Sequence, residues 1–583
     1  MKEFINSFDE VLNYRLIIRK LFENNLPGVC FMQRKIPKWE IYENKFVVHK
    51  TYSNTFQDVT FYVVFTHKSN KYSVNGFYDG EEKGANVWKV RFAPMVQGQW
   101  KYETFSNDFD LNGLTGKFEC SAPLSKGGLI INSQFQNWFF RADGTPQMII
   151  NDGWYPHPGF DNQPDHNAPQ FSYPSEHDIQ VYLDTLSKYR LNMTLEVDQL
   201  FARQDFITNH TFNWPWKVVN AEKNLIDKER FNLDFYQRLD RTIEYAKRQG
   251  IFYGLEILFD NSAFRSREWS HHPWNIKNGG WVEDIDGDGT GWPEIFNLDD
   301  KKHVEYVQRY VSYTIARTSS YYNIFYLLGA ECGNMDPNNE KLFSNWYGHW
   351  GDFIALKDPH GRIMAIGDTG ERAPIIYNPR NNFTITQEHT SMKNEDEFAK
   401  AINSFGKRFW KYGHPTVIGE QDRFNCNNYN VERKGYWIAF VSGYIMGRVD
   451  RHFAVVEGNR LFESELFNLS EDPPIYNDLR LMMNFVEKSQ VNFWRMVPSN
   501  DLLIDNPEGI YCLAEESFEY LIYFLHGGSA KIELPEGIFS LQWFNPRTGD
   551  FTKKRNIKNN YQQVFNAPDC QDWVLHVVFK GYF

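Results

Sequence analysis

YTIARTSSYYNIFYLLGAE, residues 313–331, leads from a helical segment through a polar turn into an apolar run that stops on a carboxylate. The same rhythm of strand and helix recurs on both sides of it. Candidate strands are PQMIINDGW (146–154), LNMTLEVD (191–198), IFYGLEILFD (251–260), IFYLLGAE (324–331), RIMAIGD (362–368), FTITQEH (383–389), PTVIGEQ (415–421) and GYIMGRVD (443–450). Strands alternating with helices imply parallel pairing with helical crossovers. Eight such units within residues 123–490 predict an α/β fold, an insertion-bearing (β/α)8 barrel.

The intervening helices carry their own signals. Ser175 and Asp178 have the spacing of a capping box ahead of the stripe Ile179, Tyr182, Leu183 and Leu186. Phe235, Leu239, Ile243 and Ala246 repeat that stripe, and Gly250 stands where a C-terminal cap belongs, directly before a strand.

Outside the barrel the rhythm changes. KFVVHKTY, VTFYVVFTH, KYSVNGFYDG, VWKVRFAP and GQWKYETFS are short alternating runs, and they predict an antiparallel β-sandwich over residues 37–122. GIYCLAEES, YLIYFLHG, KIELPEG, FSLQWFNP and WVLHVVF predict a second, smaller sandwich over residues 491–583. Residues 1–36 read as a helical extension, because Phe4, Phe8, Val11, Ile18 and Phe22 recur at helical spacing before Pro27–Gly28.

Composition narrows the partners. With 62 Lys+Arg against 74 Asp+Glu, a net charge of −12 argues against nucleic acid and against an anionic membrane surface. The 18 Trp, 32 Tyr and 49 Phe suit sandwich and barrel cores, and also suit the apolar faces of sugar rings. Six scattered cysteines without a CxxC pair fit reduced thiols. No run reaches the roughly 20 apolar residues of a membrane span. The expected setting is cytoplasmic.

In a barrel the chemistry sits where strands end, so Glu331 after Ile324–Ala330 and Glu420 after Thr416–Gly419 stand out. A carboxylate closing an apolar run is costly to bury unless partnered or used. Strands four and seven face each other across the mouth. Glycoside cleavage needs two carboxyl groups flanking one bond, and a separation of roughly 5 Å gives retention. The expectation is Glu331 as general acid/base and Glu420 as nucleophile.

Further candidates follow from strand ends and loops. His389 ends strand six. His271, His272, Trp274 and Trp281 in REWSHHPWNIKNGGW (267–281) are placed to line a sugar cleft. Arg317 is expected to pair with carboxylates inside the fold. Asn192 begins its strand and is set aside. Asp284, Asp286 and Asp288 match the first half of a calcium loop, although Ile295 replaces the bidentate Glu at the twelfth position and Glu294 comes one residue early. No cofactor is required beyond that candidate structural calcium.

WFFRADGTPQMIINDGWY (138–155), YTIARTSSYYNIFYLLGAE (313–331) and HPTVIGEQ (414–421) resemble the clan A glycoside hydrolases, and within them the apiosidase-like barrels. The likeness implies catalytic glutamates ending strands four and seven. Asp152 and Trp154 resemble the Asp and aromatic of the family's innermost sugar subsite. VNGFYDG (74–80), VWKVRFAP (87–94) and GQWKYETFS (98–106) resemble the β-sandwich domain of unknown function that precedes such barrels. YLIYFLHGG and LQWFNPRTGDF (541–551) resemble the collagen-binding-type sandwich that follows them. One departure stands out: Ala330 occupies the place where many clan members carry Asn, so recognition of the 2-hydroxyl by that neighbour does not carry over. The alternative is a non-catalytic carbohydrate-binding protein, which has no need of an intact glutamate pair.

Overall fold

The computed structural model describes residues 34–153, 176–195, 214–221, 223–258, 264, 269–329, 336, 338–369, 382–388, 394–421, 429–449, 455–456, 459–460, 472, 474–559 and 561–583. Eight parallel strands close into a barrel in the order expected: Asn151–Gly153, Met193–Leu195, Phe252–Glu256, Ile324–Leu327, Met364–Thr369, Phe383–Glu388, Thr416–Gln421 and Ile445–Val449. They are called barrel strands one to eight.

The first is shorter than the apolar run suggests. Pro146–Gln147 instead joins Leu129–Ile131 and Phe139–Arg141 in a small antiparallel sheet. That sheet sends Leu129 and Phe139 into the barrel interior, where Phe139 meets Phe383 edge-on at 5.1 Å. The bottom of the barrel is thereby plugged.

Helices cover the outside. Leu233–Arg248 begins at Asn232, whose side chain accepts from the Phe235 amide, and Gly250 follows its end at φ 76° as expected. Its predicted stripe Phe235, Leu239, Ile243 and Ala246 is fully buried. Burying one such large apolar side chain contributes about 1.5–3 kcal/mol. Glu176–Lys188 buries Ile179, Tyr182, Leu183 and Leu186 in the same way, whereas Ser175 and the Asp178 side chain lie outside the described residues.

Two largely antiparallel sheets form each flanking domain. The N-terminal sandwich pairs a five-stranded sheet with a three-stranded one, and it starts at Lys35–Pro37, which pairs in parallel with Thr115–Ser121. Residues 35 and 36 therefore belong to the sandwich and not to an extension, and residues 1–33 lie outside the described residues. The C-terminal sandwich sets a six-stranded sheet against a three-stranded one. Among the described residues no helix is long and apolar enough to cross a membrane.

Candidate active site

Alternation along the strands sorts the residues at the barrel mouth. Ile149, Met193, Phe252, Phe325, Ile385 and Val417 belong to the cluster that fills the barrel, while Ile150, Tyr253, Tyr326 and Ile418 join the helix-facing core. Asn151 and Glu256 are polar members of the interior row, and sequence reading missed both. Asn151 is fully buried, and its amide makes no hydrogen bond among the described residues. Gly447 on strand eight leaves room for it, since a Cβ there would stand 2.6 Å from Asn151 Nδ2. Glu256, two positions beyond Gly254, ends strand three at 5% exposure. A polar residue within an apolar run was the available signal.

Asp152 requires a correction. It lies on the helix side of strand one, where Tyr476 donates to Oδ2 and Tyr182 donates to its backbone carbonyl at 3.0 Å and to Oδ2 at 3.3 Å. Burial, and after it the Asp152 carboxylate, pushes the Tyr182 phenol well above its ordinary range. Asp152 thus ties the strand to its surrounding helices.

The aromatic loop after strand three is also corrected. Trp274 has 0% exposure, His272 1% and Trp281 5%. The His272 ring stacks on Trp269 and meets Trp274 at a right angle, and its Nδ1 accepts from the Trp274 amide at 3.1 Å. Burial pulls its pKa down to about 3. Trp281 stacks on Tyr306 and donates to His303 Nδ1 at 3.0 Å. These three rings form the loop's own core, which a long segment with only short helical turns needs, and among the described residues they pack on one another and not on an open cleft. His271 stays half-buried with Nδ1 2.7 Å from Ser270 Oγ.

In the acidic turn, Asp284 accepts from the amides of Gly287 at 2.8 Å and Gly289 at 3.0 Å, and Asp286 accepts from Asp288 at 3.1 Å. Carboxylate oxygens of Asp284, Asp286 and Glu294 come within 4.8 Å of one another. Asp288 turns to the Thr290 amide at 2.7 Å and stands outside that group. The candidate cation ligands are therefore Asp284, Asp286 and Glu294, a hard oxygen set of the kind calcium takes.

Strand seven carries Glu420 in its backbone ladder with strand six. Thr386 pairs with Ile418, but Gln387 pairs with Glu420, so the strand slips by one residue at Gly419. Glu331, Trp154 and His389 lie outside the described residues. Arg317 behaves as expected, pairing with Asp79 at 2.7 Å and Asp240 at 2.5 Å.

The class defined by this geometry is a (β/α)8 barrel flanked by two antiparallel β-sandwich domains. Comparison with known proteins agrees. Residues 35–107 match the family model "Domain of unknown function (DUF5060)", and residues 497–578 match "Putative collagen-binding domain of a collagenase". Both flanking resemblances are borne out.

Among solved structures, the chain is similar to a "putative glycoside hydrolase" from Bacteroides vulgatus at 16% identity and TM-score 0.66, covering 94% of this chain and 100% of that one. It is similar to a structure titled "Glycoside hydrolase" at 14% identity and TM-score 0.53, covering 79% and 98%. A glycoside hydrolase family 5 protein from Bacteroides vulgatus gives 13% identity and TM-score 0.52, covering 78% and 94%. These are likenesses of fold. No curated protein matches the chain.

Proposed function

We propose that the chain is a retaining glycoside hydrolase working at the C-terminal mouth of the barrel, with Glu331 as general acid/base and Glu420 as nucleophile. The slip in strand seven carries this reading. Strict alternation from the interior residue Val417 would give the interior row to position 419. Skipping one residue sets Glu420 opposite Gln387, two positions beyond the interior residue Ile385. A one-residue slip exchanges the faces of a strand, and bulges re-aim residues beside active sites. The names of the barrel's structural neighbours lend further support.

In the first step the Glu420 carboxylate attacks the anomeric carbon, while Glu331 gives its proton to the departing glycosidic oxygen. The C–O bond breaks, a glycosyl ester forms on Glu420, and Glu331 is left ionised. Glu331 then takes a proton from water, whose oxygen attacks the same carbon and releases Glu420. Two inversions give net retention. The acid must hold its proton near neutral pH while its partner is ionised. The long connections between strands one and four favour a pocket, and with it exo action on a plant- or microbe-derived glycoside or oligosaccharide.

The test is a panel of aryl glycosides, including apioside, arabinofuranoside, rhamnoside, galactoside and glucoside, with NMR of the released sugar. Cleavage of at least one with retention is expected. Glu331→Ala should lose about 10²–10⁴-fold on poor leaving groups, should keep slow turnover of activated ones and should be rescued by azide. Glu420→Ala should abolish turnover. Inversion would overturn the double displacement. Sugar binding without cleavage of any glycoside would leave a non-catalytic carbohydrate-binding protein.

A further inference from the structure

The seam between the N-terminal sandwich and the barrel holds a solvent-open cleft of 420 Å³, within the range of about 300–1,000 Å³ that small-molecule sites occupy. It lies on the barrel's flank, bounded by helix Lys301–Thr318, by the hairpin of Trp216–Asn220 and Leu225–Phe231, and by the sandwich edge around Phe61. No residue of the eight barrel strands lines it. Slack packing does not explain the hollow, because the same seam is locked by Arg317 on Asp79 and Asp240 and by Arg91 on Asp240 at 2.8 Å.

Aromatic, uncharged polar and charged side chains line the space. Phe56, Phe231 and Tyr313 form a fixed aromatic wall: Phe231 and Tyr313 stack at 4.3 Å, and Phe56 stands edge-on to both at 5.6 and 5.8 Å. Opposed to them are uncharged polar groups. Asn75, Gln308 and Ser312 are half-buried, line the cleft, and have no side-chain hydrogen bond among the described residues. The charged side chains lean on neighbours at the wall: Glu305 lies 3.8 Å from Arg309, and Lys357 lies over the Phe353 ring. Glu229 accepts from Tyr306 at 2.5 Å, from Arg309 at 2.8 Å and from Gln57, and Lys228 donates to the Gly280 carbonyl at 3.0 Å.

A wholly apolar guest would leave those three polar side chains desolvated without partners, at about 1–3 kcal/mol each. A sugar ring has what the site asks for, a C–H face for the aromatic wall and a rim of hydroxyls for amide and hydroxyl partners. We propose that this cleft binds one neutral sugar residue, as a second carbohydrate site apart from the barrel mouth. The inference goes beyond the catalytic reading and does not depend on it.

The test is isothermal titration of the full chain with the methyl glycosides of glucose, mannose, galactose, xylose and arabinose, and with methyl glucuronoside as the charged control. At least one neutral glycoside is expected to bind. Asn75→Ala combined with Gln308→Ala should weaken that binding about tenfold or more, and Ser312→Trp, which fills the cleft, should abolish it. Hydrolysis of aryl glycosides by the same variants should be unchanged. If Ser312→Trp does not fold, the two truncations carry the test. Binding that is identical in wild type and variants would overturn the proposal, as would no binding of any neutral glycoside or binding of the glucuronoside alone. A chain that hydrolyses nothing but still loses sugar binding in these variants would sink the catalytic reading and leave this site standing.

Discussion

The two sandwiches meet the barrel by different physics. The C-terminal one shares its core: Tyr511, Leu513, Leu521, Tyr523 and Phe544 on one face of its larger sheet join the barrel's helix-facing cluster, while Cys512, Ala514 and Ile522 on the other face fill the sandwich. Trp437, on helix Tyr429–Val441, stacks on Tyr523 and packs against Phe544 and Phe485. The N-terminal sandwich keeps a core of its own and docks through a buried ionic network, Arg317 on Asp79 and Arg91 on Asp240, beside a smaller aromatic contact of Phe56 and Phe77 with Phe231 and Tyr313. An apolar seam makes two domains one folding unit. A buried ionic seam holds them in one geometry, yet adds little stability beyond its own desolvation cost.

The largest expected effect follows at the apolar seam. Trp437→Ala should cost about 3–5 kcal/mol, read by urea unfolding, and should destabilise barrel and C-terminal sandwich in a single transition. Two separate transitions would break the comparison. Next comes Arg317→Met, which leaves buried Asp79 with Lys89 alone and Asp240 with Arg91 alone and should cost about 3 kcal/mol. If it costs more than the tryptophan change, the ranking of the seams is reversed.

The seams should also answer pH with opposite signs. Burial would raise Asp240 and Asp79, but Arg317 and its neighbours outweigh burial and hold both below the usual carboxylate range. Their contribution is present above the unfolded pKa and is lost as pH falls through the folded values. At the C-terminal seam, Asp478 sits 3.5 Å from Arg433, which is bidentate on buried Asp572, and burial lifts Asp478 from 3.8 to about 6. Its contribution is complete below 3.8 and is lost as pH rises through about 6, at no more than about 1.4 kcal/mol per pH unit. Asp478→Asn should therefore stabilise the protein at pH 7 and make little difference at pH 4. A variant less stable than wild type at pH 7 would reject the assignment.

The smallest effect belongs to neither seam. If the turn of Asp284, Asp286 and Glu294 takes calcium, the ion should raise Tm by a few degrees, about the scale of ligand linkage, and EDTA should reverse it. The shift should be equal in the Trp437 and Arg317 variants. Absence of any shift removes the ion.

All eight barrel strands were legible because apolar runs and capped helices alternate, as at Ala246, Gly250 and Phe252. Asp152 was not, because Met148, Ile149 and Ile150 are apolar on both faces of the run and hide which side each position takes. Only the sorted cores show that Asn151, and not its neighbour, faces inward. Trp274 and Trp281 misled for a related reason: a long loop requires a hydrophobic centre, and the same rings would serve a cleft. The slip at Gly419 leaves no mark in composition or periodicity. Arg317 announced a buried ion pair, but its partners lie in a domain separated by over two hundred residues and in another helix.

The plug at the barrel floor has a further consequence. With Leu129 and Phe139 seated beneath Phe325, Phe383 and Ile445, the barrel is a cup with a dry base. Whatever enters by the rim must leave by it. An apolar floor screens little, so the field of a carboxylate at the rim, such as Glu256, is damped from the solvent side far more than from below.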